Sequence, residues 1–170
     1  MSARTPLAAL LVVLSSFVSC ADPQHDNEVS ALGPEQGSTG PEHRRGQPCL
    51  TCHGGSGPGN AQFAMAGTVY AVKGQDAPLS GVDVTLTDAT NSVKHATTNR
   101  AGNFFVPHDD WSPIYPVHVK LSLSGFDTPM GTHIGRDGSC GGCHFEPRGP
   151  TTPGHVYFVS DPADLPPGAK

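Results

Sequence analysis

The sequence predicts an all-β fold: a small antiparallel β-sandwich flanked by two Gly/Pro-rich arms and preceded by a disordered tether. Three observations predict it. Several short runs alternate apolar with polar residues, the period of two expected of a strand with one buried face. Gly and Pro, 21 and 17 of 170 residues, break those runs at turn spacing, which suits many short strands better than a helical core. No stretch holds the i, i+3, i+4 apolar spacing of an amphipathic helix.

Taken in order, residues 20–46 are the tether. They are polar and rich in Pro, Gly and Glu, with too little apolar surface to offset the entropy of ordering, so His25 and His43 read as solvated. A first arm covers 47–65. The sandwich, 66–125, opens with "GTVYAVK" (67–73) and the turn "GQDAPLSG". In "VDVTLTD" (82–88), Val82, Val84 and Leu86 share one face and Asp83, Thr85 and Thr87 the other. "SVKHATT" (92–98) and "NFFVP" (103–107) follow. "VHVKLSL" (117–123) places Val117, Val119, Leu121 and Leu123 inward, and "HVYFV" (155–159) is the last of six strands. A second arm with that final strand occupies 126–160, and 161–170 is a tail.

The strand set resembles the carboxypeptidase-regulatory or transthyretin-like β-sandwich. Gly67, Val69, Pro78, Leu79, Gly81, Val82, Thr98, Gly102 and Phe104 carry the resemblance. It implies a scaffold without catalytic residues of its own.

Arg4 and the apolar "PLAALLVVLSSFV" form the charged and hydrophobic parts of an export signal over 1–19, too short to span a bilayer. "FVSC" resembles the bacterial lipobox, with Phe17 where Leu is usual. That resemblance implies a lipid on Cys20 and a membrane anchor on the periplasmic side of the cell envelope. Ala21 after the cysteine resembles the outer-membrane sorting pattern, and an ordinary cleaved signal is the alternative. The formal charge of −5, with no basic cluster beyond Arg44–Arg45, argues against a nucleic-acid partner.

The chemistry lies in two short repeats, "PCLTCHGG" and "SCGGCH". In each, two cysteines are spaced by two residues and followed at once by histidine, which is the signature of covalent haem c attachment. Cys49 with Cys52 and Cys140 with Cys143 would bind two haems as thioethers. His53 and His144 would be their proximal iron ligands. A Cys₄ zinc site uses the same thiols but leaves both histidines without a role. Disulfide or redox pairs are weaker, because no helix pattern follows either pair to lower a thiol pKa. With Cys20 assigned to lipid, no cysteine of the five is left over.

The arrangement resembles a family of exported bacterial multihaem cytochromes in which a transthyretin-like sandwich separates two such motifs. The matching pieces are "PCLTCHGG", "FAMAGTVY", "GNFFVPHDDWSPIYPVHVKL", "GSCGGCH" and "EPRGPTTPGHVYF". "GHVYF" departs from the family's pattern at His155. For the distal positions, Met130 and His133 are the nearest candidates to the second motif, and His155 is a third. Met65 reads as packing, His95 and His108 as strand and turn residues, and His118 as outward by parity. The expected function is a dihaem c-type cytochrome lipoprotein carrying electrons between a redox-protein donor and acceptor, other multihaem cytochromes among them. The alternatives are a haem enzyme, peroxidase or small-molecule reductase, with one open iron position, and a non-haem binding module with a Cys-based zinc site.

Overall fold

The computed structural model describes residues 22–35, 39–55 and 57–169, so the export segment and Cys20 lie outside the described residues. Two packed sheets carry the fold. The first has three strands in the order β4-β1-β7: β4 Asn103–Pro107, β1 Phe63–Val72 and β7 Val156–Val159. The second has four in the order β3-β2-β5-β6: β3 Val93–Thr97, β2 Asp83–Thr87, β5 His118–Leu123 and β6 Phe126–Pro129.

Alternation explains the second sheet. Val82, Val84, Leu86, Val117 and Leu121 are buried, whereas Asp83, Thr85 and Thr87 are only half-covered. Val69, Leu79, Val106 and Phe158 meet them from the other side. Each such side chain contributes about 1.5–3 kcal/mol when fully buried. Strand β1 differs: Ala64 to Val72 are buried without a break. It is the middle strand of its sheet, and both arms pack against it as well, so neither face is left to water.

Several expectations change. The sandwich is not wholly antiparallel, because β1 and β7 pair in parallel, Val69 with Val156 and Val72 with Val159. Strand β1 starts at Phe63, and β6 adds a seventh strand at an exposed sheet edge. The tether is not uniformly irregular either. Pro23–Ala31 form a helix, α1, whose first turn is capped by the Asp22 carboxylate accepting from the amides of Gln24 and His25. Residues 40–46 then dock on the sandwich. The Asn103 side-chain amide donates to the carbonyls of Pro41 and His43, and the Gly46 amide donates to the Thr68 hydroxyl.

Candidate functional site

The two Cys-x-x-Cys-His motifs form one-turn helices, α2 (Leu50–His53) and α3 (Cys140–Cys143), both packed on β1. They also pack on each other. The Leu50 amide lies 3.5 Å from the Ser139 hydroxyl, and the Gln47–Pro48 backbone presses on Gly141. Ser139 pairs with Ala66 of β1, which seats the second motif against the strand that follows the first. Two arms separated by the whole sandwich in sequence thus meet.

The histidines are set alike. His53 Nδ1 lies 2.8 Å from the Ala61 carbonyl oxygen, and His144 Nδ1 lies 3.0 Å from that of Gly154. A carbonyl only accepts, so Nδ1 carries a hydrogen in both rings, and in the neutral ring the lone pair is on Nε2. Burial holds the His144 imidazole below the usual histidine range, helped by neighbouring His155 and opposed by its bond to Gly154. A neutral ring with a lone pair on Nε2 is the form that binds a metal.

Each motif lines its own cavity. Cys49, Cys52 and His53 line one of about 660 Å³ together with Phe63, Phe104 and Phe105. Cys140, Cys143 and His144 line another of about 780 Å³ together with Phe104, Val119 and Leu121. Both fall in the ~300–1,000 Å³ span of small-molecule and cofactor sites. Phe104 is common to the two, so one side chain separates them at that wall. Beside the first, the His53 ring stacks on Phe63 at 4.7 Å, and Phe63 stacks on Phe105 at 4.9 Å.

The four thiols are unpaired. Burial pushes the Cys49 thiol up to about 11 and Cys140 to about 12, so neither is the thiolate that a redox pair would use at neutral pH. Among the described residues no three His, Cys, Asp or Glu side chains surround a point that could hold an ion. The pairs belong to separate cavities, and a single tetrahedron of all four sulfurs is not assembled.

Met130, His133 and His155 all line the second cavity. His155 stacks on Tyr70 at 4.2 Å with the rings nearly parallel, and His133 lies exposed with its ring 5.9 Å from that of His118. Met65 is wholly buried in the core. His95 faces Asp83 at 3.1 Å on an exposed strand face, and His108 is exposed after β4. His43 departs from its reading as a solvated residue. It is half-buried in the wall of the first cavity, with its ring centroid 5.7 Å from that of His53. No local pattern signals this, since the groups holding it come from Glu35 and Asn103. His25 also departs from that reading, because its Nε2 is buried without a partner among the described residues.

No family model, curated protein or solved structure matches the chain, so its functional reading rests on its own residues.

Proposed function

We propose that the chain is a dihaem c-type cytochrome that carries electrons in the cell envelope, anchored by a lipid on Cys20. The observation that carries the reading is the duplicated donor set. In two separate cavities, a pair of thiols stands beside an imidazole whose Nδ1 is locked on a backbone carbonyl and whose Nε2 is free. Residues of that kind fit a haem in each cavity. Cys49 and Cys52 would hold one and Cys140 and Cys143 the other, with His53 and His144 as proximal ligands. A carbonyl-bound Nδ1–H fixes ring orientation and strengthens the ligand nitrogen.

Bound haem supplies a one-electron couple. The chain's own part is to hold, orient and shield. The Ala61 and Gly154 carbonyls orient the rings, and Phe63, Phe105, Val119 and Leu121 give the two cavities apolar walls. The contact of Gly141 with Gln47–Pro48 keeps the two sites adjacent. No acid–base residue is needed. We further infer that the two packed sheets are a carboxypeptidase-regulatory or transthyretin-like sandwich that clamps its arms together. The partners are a redox-protein donor and acceptor.

The test is a haem count on protein exported alongside a haem-attachment system. Pyridine haemochrome and intact mass should give two covalent haems per chain, and Cys140→Ser with Cys143→Ser should leave one. A colourless wild-type protein, or one carrying zinc on its cysteines, overturns the reading.

A further inference from the structure

The first cavity has a second imidazole in its wall, that of His43. His43 Nδ1 lies 2.6 Å from the Glu35 carboxylate, which can only accept when ionised, so Nδ1 carries a hydrogen and Nε2 is the nitrogen left to face a metal in the neutral ring. That Nε2 has no hydrogen-bond partner among the described residues, and His53 Nε2 has none either. A metal–imidazole bond of about 2 Å plus about 1 Å to the ring centre, counted from both sides, puts two opposed ligand rings about 6 Å apart. The His43 and His53 centroids are 5.7 Å apart with planes tilted by 54°.

The segment is held on three sides. Asn103 bonds the His43 carbonyl at 2.9 Å, and Arg44 donates to the Gly33 carbonyl at 2.9 Å and to Gln47 at 3.0 Å. No other described histidine lines this cavity, His25 on α1 included, although Val29 and Leu32 beyond it do.

We propose that His43 is the distal iron ligand in the first cavity and that Glu35 positions its ring. The proposal rests on the cytochrome reading. A carboxylate on Nδ1–H makes the imidazole more basic and favours the oxidised metal, and two histidines give a lower potential than His with Met.

The test uses the mature dihaem protein, read by ferric EPR, optical spectra and CO binding to the reduced form. In the wild type the first haem should be low-spin. His43→Ala should keep both covalent haems, lose the low-spin signal of the first, gain a high-spin signal of equal size and newly bind one CO. His43→Met should restore the low-spin state at a higher midpoint potential, a result that does not depend on the alanine variant folding well. Glu35→Gln should leave ligation intact and raise the potential of that haem alone. Two haems with unchanged spectra in His43→Ala overturn the proposal and leave the cytochrome reading standing. So does a first haem already high-spin in the wild type, or a spectral change that follows His25→Ala instead. Absence of haem from the wild type overturns both.

Discussion

Of the two glycines between Cys140 and Cys143, only one is held by its surroundings. A Cβ on Gly141 would lie 2.5 Å from the Gln47 carbonyl oxygen and 2.8 Å from the Pro48 nitrogen. Backbone cannot rotate away as a side chain can, so the two arms would have to separate. A Cβ on Gly142 would meet nothing nearer than the Asp137 carboxylate at 3.7 Å. Gly141→Ala should therefore cost about 1–3 kcal/mol, the usual range for overpacking a close contact. Gly142→Ala should be neutral or slightly stabilising, because alanine is the better helix former. Denaturant unfolding of the two variants side by side measures the difference. Equal stability would mean that the arms do not press on each other at α3. The same comparison shows what a motif conceals: "CGGC" displays two equivalent glycines, and only the distant Gln47–Pro48 backbone makes them unequal.

Among the elements, β4 does double duty through Asn103. Its side-chain oxygen accepts from the Thr68 hydroxyl at 2.6 Å, while its amide donates to the carbonyls of Pro41 and His43. It is buried, so removing it leaves the Thr68 hydroxyl without its acceptor and the His43 carbonyl without its donor, whereas the Pro41 carbonyl keeps its bond from Asn99. A buried group left unpaired costs about 1–3 kcal/mol. Asn103→Ala should lower stability by about 1–3 kcal/mol and speed proteolytic cleavage within residues 39–46, with β content unchanged by circular dichroism. Unaltered cleavage there would show that the segment is held by other contacts. Strand alternation made β2, β4 and β5 legible to within a residue at either end, since each buries one face. Strand β6 carries no such pattern because Phe126–Pro129 is an edge strand exposed at most positions. The parallel pairing of β7 with β1 depends on a partner far along the chain, which no local period encodes. Helix α1 did carry a start signal, Asp22 followed by Pro23, but its polar faces offered no apolar stripe. The Cys-x-x-Cys-His motifs were legible because their chemistry is local. The neighbourhood of His43 was not, because it is assembled from α1, β4 and the chain between them.

At the scale of the whole molecule, the apolar core is confined to part of the chain. Every buried hydrophobic side chain among the described residues lies in 64–121 or at Phe158, and none comes from 39–62 or 130–155. The arms hold to the sandwich by hydrogen bonds, by close glycine contacts, by the walls of the two cavities and, in the second arm, by the partly buried Ile134 and Cys140 packed on the core. Hydrogen bonds contribute about 0.5–1.5 kcal/mol each net of water, which is little against the entropy of ordering some twenty residues per arm at about 1–2 kcal/mol each. On the proposed reading, a haem attached in each cavity would add apolar surface beyond the few arm side chains that pack on the core. Stability should therefore divide at the arm–sandwich boundary. A variant with Cys49, Cys52, Cys140 and Cys143 all replaced by Ser should keep its β-sheet signal and a cooperative unfolding transition from the sandwich core. Its arms, 47–62 and 130–155, should exchange amide hydrogens quickly and be cut early by a protease that leaves them intact in the haem-loaded protein. If the arms of the haem-free variant are as protected as those of the loaded protein, they fold without a cofactor, and the cavities are shaped by the chain alone. If the sandwich melts along with the arms, the molecule is one cooperative unit and the clamp cannot be separated from what it holds.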